Sequence, residues 1–226
     1  MEHGAAARST IARAMTGTSP SPLHPAYHAR DMVRLYGRRV MLRPLQPTDF
    51  PAWSDVRVRN EDWLLPWEPQ RLPGNPDPAR DRTAFALRCG ARDRERQQGA
   101  GYGFGIFVDN AFAGEINLNN VQRGPFQNAY VGYWIDQARA GNSYMSEAVV
   151  VVARFAFEDL RLHRLQIAIV PRNARSRRVT EKLALRDEGV ATRYLEINGT
   201  WEDHVRYAIT SEEWSERRAE LARDWL

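Results

Sequence analysis

Apolar and polar positions recur with two different periods along this chain, and the changes between them predict its elements. Residues 38–43 place an apolar centre between charged ends, as a short strand does. Pro47-Thr48-Asp49 opens a helix, with Thr48 as the expected cap and Phe50, Trp53, Val56 and Val58 as apolar positions. Residues 63–78 hold Trp63, Trp67 and a proline every few positions, which predicts a loop without regular structure. A charged helix is expected over 78–98. Three runs with strand character follow, 102–108, 113–121 and 129–135. Asp109-Asn110 and Arg123-Gly124-Pro125 separate them, so they read as an antiparallel meander. The period then lengthens. A helix is expected over 143–160, a strand over 164–170, a helix over 173–185, and a hairpin of 194–197 with 201–209 across Asn198-Gly199. A polar helix over 211–226 closes the chain. Strand, helix, strand, helix implies a parallel component, so the fold class is mixed α/β with one central sheet.

The first 32 residues change this picture little. They are rich in Ala, Ser, Thr, Pro and His, and Pro20, Pro22 and Pro25 interrupt any helix. They read as a disordered arm, leaving 33–226 as a single folded domain. Arg8 and Arg13 break any secretory apolar core, and no apolar run approaches the roughly 18 residues of a membrane span, so a cytoplasmic protein is expected. One cysteine, Cys89, excludes a disulfide within the chain and reads as a small buried filler. No cluster of zinc-type ligands is present. The net charge of +4 favours acidic ligands and does not by itself indicate nucleic acid.

Two helix starts draw attention as chemistry. Asp136 to Ser143 is a loop of small residues running into a helix, where backbone N–H groups and the helix dipole suit a phosphate; Asn142 and Ser143 are its candidate caps. Pro171 to Ser176 is the second, with Asn173 as cap and Ser176 on the first turn. Taken alone, either reads first as an ordinary capped helix.

Three stretches together resemble the GNAT superfamily of N-acetyltransferases. Tyr130-Val131-Gly132-Tyr133-Trp134-Ile135 resembles its central strand, Ala140-Gly141-Asn142-Ser143-Tyr144-Met145-Ser146-Glu147-Ala148 its pyrophosphate loop and main helix, and residues 169–189 its second strand and helix. The resemblance runs from about Val40 to Glu213. It is nearest to the Rim-type enzymes that acetylate the N-terminal amine of ribosomal proteins. It implies a mostly antiparallel sheet with one parallel, splayed strand pair and flanking helices, with acetyl-CoA as cofactor. Trp134, Ile135, Arg139, Gly141, Asn142, Ser143, Tyr144, Met145, Asn173, Arg175 and Ser176 would contact that cofactor. The chain departs from the family where Ala138 and Ser143 replace the usual polar and small residues of the loop, and where Tyr130 replaces a glutamate that many relatives carry.

The reaction so implied is attack of an amine on a thioester. It needs a base, a donor to the developing oxyanion, and a proton for the departing sulfur. Glu115 is the favoured base, because alternation along its strand puts Glu115, Asn117 and Asn119 on one face and Ile116 and Leu118 on the other. Ser176 is the expected proton donor to sulfur. Trp63, Trp67, Asn117, Tyr133, Glu196 and Asp203 are expected around the acceptor. His163 reads as structural, and His204 stays open. The acceptor is expected to be a protein N-terminus, that of a ribosomal protein by the resemblance, with a small amine or another acyl donor as the alternative. A non-catalytic RNA-binding module is a third reading. Monomer and homodimer both remain open.

Overall fold

Turn chemistry sets the strand lengths. Asp109 and Asn110 both adopt left-handed backbone, φ 51° and 63°, as do Asn198 and Gly199, φ 48° and 80°. These are the conformations that two-residue hairpin turns require and that Asn, Asp and Gly tolerate best. The computed structural model describes residues 33–226, and the expected N-terminal arm lies outside the described residues. The elements are β1 (Leu35–Tyr36), β2 (Val40–Arg43), α1 (Phe50–Arg59), α2 (Glu61–Leu64), α3 (Arg82–Gln97), β3 (Tyr102–Val108), β4 (Ala111–Gln122), β5 (Asn128–Ile135), α4 (Tyr144–Arg154), β6 (Arg164–Ile169), α5 (Ala174–Lys182), β7 (Arg186–Ile197), β8 (Thr200–Thr210) and α6 (Ser211–Trp225).

The strands form one open sheet in the order β1-β2-β3-β4-β5-β6-β8-β7. All neighbours are antiparallel except β5 and β6. That parallel pair is joined only at Asn128↔Arg164, Ala129↔Leu165 and Tyr130↔Gln166, after which the strands diverge. The splay implied by the family resemblance is therefore present.

Each face of the sheet has its own core. On one side α4 and α6 cover a large apolar cluster that includes Ile116, Leu118, Val151 and Phe155, all at most 1% exposed. On the other side α1 and α3 cover a smaller cluster around Trp53, Phe85 and Phe112. The alternation along β4 sorts its residues between these layers.

Several boundaries differ from the sequence expectation. Residues 63–78 are not wholly irregular: Trp63 lies in α2, and Leu65–Trp67 forms a 3-10 turn. Proline is tolerated there because Pro66 occupies the first turn, where its missing N–H has no partner to lose. The expected helix over 78–98 starts only at Arg82, because Asp81 caps it by accepting from Thr83 and Ala84 N–H. Thr48 is not a cap; Gln46 and Asp49 form a reciprocal capping box instead. The helix expected over 143–160 divides into α4 and a π-helical turn, Phe155–Asp159. The strand expected at 194–197 is the end of the longer β7.

A buried carboxylate fixes α4 to the sheet. Glu147, 1% exposed, accepts from the backbone N–H of Val40 at 2.9 Å, from that of Arg39, and from Arg39 Nε at 2.9 Å. A Cβ on Gly37 would lie 2.7 Å from Glu147 Oε1, so glycine leaves the room for this contact. Glu147→Gln keeps the shape but turns an acceptor into a donor against these N–H groups. It should cost about 3 kcal/mol, read as a fall in Tm of about 6–12 °C by calorimetry. An unchanged Tm would remove Glu147 as the anchor.

Candidate active site

The splay opens onto a cleft of about 1360 Å³, larger than a drug-sized pocket and roomy enough for two ligands at once. One wall comes from α1, α2, the loop after them, α3 and β4. The other comes from the loop before α4 and from α5.

β4 and β5 supply the floor. Glu115 pairs directly with Trp134 across them. Gly114 makes this approach possible, because a Cβ there would stand 2.3 Å from the Trp134 carbonyl oxygen. Glu115 is 2% exposed; its Oε1 accepts from Trp53 Nε1 and its Oε2 from Arg88, each at 2.6 Å. The face carrying Glu115 and Asn117 is thus buried under α3, not merely solvated, and both residues line the cleft. Arg88 also stacks on Trp53, with its guanidinium carbon 5.2 Å from the ring centre.

Ser176 and Tyr133 bridge the splay. The Ser176 hydroxyl donates to the Tyr133 oxygen at 3.0 Å, and the Tyr133 hydroxyl donates to the Ser176 carbonyl at 3.1 Å. Burial pushes the Tyr133 phenol above its ordinary range, so it stays neutral. Asn173 caps α5 by accepting from Ser176 N–H at 3.1 Å. Trp63 Nε1 donates to the Ile135 carbonyl at the end of β5, and Arg175 lies over the Trp63 ring.

Ser143 occupies the cap position of α4 in left-handed conformation, φ 65°, yet its side chain caps nothing. Its hydroxyl accepts from Lys182 Nζ. Neither expected cap is therefore used: the Asn142 amide turns back to the Arg139 and Ala140 carbonyls, and Asn142 is absent from the cleft wall. The start of α4 keeps its N–H groups available. Four cations, Arg139, Arg175, Arg178 and Lys182, line this half of the cleft and, among the described residues, no carboxylate does. That donor set suits the phosphates of a coenzyme A cofactor.

Trp134, Ile135, Arg139, Gly141, Ser143, Tyr144, Met145, Asn173, Arg175, Ser176, Trp63, Trp67, Asn117 and Tyr133 all line this one cleft. Glu196 and Asp203 do not. Glu196 is exposed on β7, and Asp203 accepts from Arg193 N–H at 2.8 Å on the outer hairpin. His163 is exposed beside Glu212, and His204 is buried against Tyr194 with Nδ1 2.9 Å from the Glu202 carbonyl oxygen. Burial raises the Cys89 thiol to about 11, so it stays protonated on the inner side of α3. Sequence reasoning missed Arg88, Arg57, Arg178 and Lys182. The last two were legible: Arg175, Arg178, Val179 and Lys182 follow the spacing of one helix face. Nothing in the spacing of α3 announces that Arg88 reaches β4.

Asp136 holds the end of β5 to α1. Burial raises its pKa, but bonds from Arg59, Asn60 and the Ala138 N–H outweigh this and hold the carboxyl below its ordinary range. A depressed folded-state pKa means that the stabilisation is present above the unfolded value of about 3.9 and is lost as pH falls through the folded one. Asp136→Asn should therefore cost about 2 kcal/mol at pH 7, and the difference from wild type should shrink below about pH 4. Denaturant melts at both pH values check this; a constant difference would contradict it.

The family described as acetyltransferase (GNAT) domain matches residues 39–186. A probable N-acetyltransferase of Bacillus subtilis, YjcK, is 35% identical over 77% of this chain and 96% of its own. The ribosomal protein uS5-alanine N-acetyltransferase of Escherichia coli is 32% identical over 82% of this chain and 95% of its own. Among solved structures, Mycobacterium smegmatis RimJ in complex with CoA-disulfide superposes with a TM-score of 0.74 at 31% identity, covering 84% of this chain and 94% of that one.

Proposed function

Because the chain belongs to the GNAT acetyltransferase family and is an acetyl-CoA-dependent N-acetyltransferase, we propose that its acceptor is the N-terminal α-amine of a protein, in the first instance a ribosomal protein met in the cytoplasm. The observation that carries this reading is the division of one cleft into a cationic half and a half holding a buried carboxylate, Glu115, beside the end of β5. Relatives named as ribosomal-protein alanine acetyltransferases support the acceptor class. So does the roof of the acceptor half. The loop after α2 is tied to the β7–β8 turn by Asn198 N–H donating to the Glu68 carbonyl at 2.8 Å, while Glu68 is held by Arg57 through two bonds of 2.6 and 2.7 Å. A roofed channel suits a narrow chain end better than a side chain on a folded surface.

Acetyl-CoA supplies the acyl group as an activated thioester. Arg139, Arg178 and Lys182, with the open N-terminus of α4, hold its phosphates. Glu115 takes a proton from the acceptor ammonium, directly or through water, which frees the nitrogen lone pair. A backbone N–H at the end of β5 donates to the acyl oxygen as charge builds there. The departing thiolate would accept a hydrogen bond from the Ser176 hydroxyl, turned from its place beside Tyr133, and take its proton from solvent.

Peptides differing in their free amine test this. An alanine- or serine-initiated peptide should be acetylated at its N-terminus, while the same peptide with a blocked N-terminus and an internal lysine should not be. Glu115→Gln should lower kcat by about 10²-fold with acetyl-CoA binding by calorimetry unchanged. Preferential turnover of a polyamine over every peptide would overturn the protein-acceptor reading.

A further inference from the structure

Glu115 faces two spaces. One is the cleft. The other is a cavity of about 40 Å³ behind it, between α3 and β3–β4. Asn117 is likewise part of both walls. The cavity is polar where it matters. Asn117 and Arg96 line it, and Asn117 Oδ1 and Arg96 Nε are buried without a hydrogen-bond partner among the described residues. Asn117 is more than nine-tenths buried, at 8% exposure. One orphan is an acceptor and the other a donor, which is the pair a bound water satisfies. At about 10–15 Å³ for each water, the space accommodates about three. Gly103 keeps it open, since a Cβ there would lie 2.9 Å from Asn117 Oδ1 and 3.4 Å from Arg92 Cδ.

Asp93 lines the same cavity; its side chain is 49% exposed and accepts from Arg96 and from Gln97 Nε2. A buried carboxylate and a half-exposed one thus border one small polar space. Such a space answers a need of the reaction. The base must lose its proton in every turnover, and the cleft side of Glu115 is covered while acceptor and cofactor are bound.

We propose that this cavity is a proton exit, carrying the proton from Glu115 through bound water to Asp93 and on to solvent. The proposal rests on Glu115 being the base. In the transfer, the O–H bond of protonated Glu115 breaks as a cavity water gains the proton, and that water releases one of its own hydrogens toward Asp93. Asp93 then gives the proton to solvent or buffer. The acceptor nitrogen keeps the electron pair it uses on the acyl carbon, and nothing is oxidised or reduced. Arg88, Arg92 and Arg96 follow one another at i, i+4 and i+8 on α3 and all line the space. Their charge disfavours an excess proton resting on the water, so the transfer has to be concerted, and the carboxylates of Glu115 and Asp93, each bonded to one of these arginines, are the places where the proton can rest.

The test is steady-state acetylation of an alanine-initiated peptide by the full chain at one pH, in H₂O and D₂O, with rising imidazole. Asp93→Asn should lower kcat about tenfold, leave both KM values unchanged, enlarge the solvent isotope effect, and recover rate as imidazole is added. Cys89→Leu, which fills the cavity from α3, should lower kcat without rescue by imidazole. A wild-type kcat and isotope effect in Asp93→Asn overturns the exit, whatever Cys89→Leu does. Glu115→Gln separates the two ideas: if it is impaired while Asp93→Asn is normal, only the exit fails, and if it is unimpaired, the base assignment and the exit fall together.

Discussion

The rest of the structure depends on how briefly β5 and β6 stay together. Three paired residues hold them, 128–130 against 164–166, and then the sheet opens. A parallel pair is a weak ladder, and three residues of it are weaker still. The joined end is reinforced from within: Gln166 Nε2 donates to Asn128 Oδ1 at 2.8 Å, and both side chains are buried. A buried amide pair has one good register, so it fixes where pairing stops as well as where it holds. The open end is then held apart by bonds across it. Trp63 takes the Ile135 carbonyl, and Tyr133 and Ser176 bond one another from opposite sides. Backbone groups that a continuous sheet would satisfy are left for side chains and ligands. The gap is therefore built into the fold and needs no ligand to pry it open.

Charge follows the same division. In the acceptor half each carboxylate meets an arginine: Glu115 with Arg88, Glu68 with Arg57, Asp77 with Arg71. In the other half the cations have, among the described residues, no carboxylate on the cleft wall. Arg139 meets the exposed Asp109 at 3.8 Å, and the other cations there and the start of α4 leave this half the more positive one, while the charges of the first half are neutralised in pairs. Glu147 supports this arrangement indirectly. It holds Arg39 at the α4 start, and Arg39 in turn donates to the Asn142 carbonyl at 3.1 Å, which steadies the loop ahead of Ser143.

Much of this was legible in the sequence, for a physical reason. Strand parity, turn dipeptides and the spacing of helix positions are local, and local rules placed β3, β4, β5, β6 and the β7–β8 turn within a residue or two. The cleft residues on β5 and at the starts of α4 and α5 came from the same rules together with the resemblance. What failed was long-range. Glu196 and Asp203 were expected near the acceptor as carboxylates of the closing hairpin. The register of β7 with β8 slips between Asp187 and Val190 and again between Ala191 and Leu195, and Arg193 takes φ 46°. The irregularity opposite Asp203 brings its carboxylate to the Arg193 N–H, and Glu196, paired with Trp201 beside the turn, lies exposed on the edge strand; which side of the sheet carries the cleft is set by packing that no local pattern records. Arg88 was missed for the same reason. Its helix is regular, but only packing across the sheet tells which of its many arginines meets β4.

Register also explains why one strand supplies both core and chemistry. β4 sends Ile116 and Leu118 into the core under α4, and Glu115 and Asn117 toward α3. A slip of one residue would put the carboxylate into the large core and a leucine into the cleft. Two local features resist that slip. The Asp109-Asn110 turn ties β4 to β3, and Gly114 lets β4 press against the Trp134 carbonyl more closely than any residue with a Cβ could. The side of β4 that faces α3 is costly to maintain, because a buried carboxylate must be bonded or neutralised. Arg88 and Trp53 meet that cost by donating to both oxygens of Glu115, yet each oxygen retains a lone pair. A carboxylate held this way is oriented without being saturated, and it can take part in a proton transfer without leaving its place in the fold.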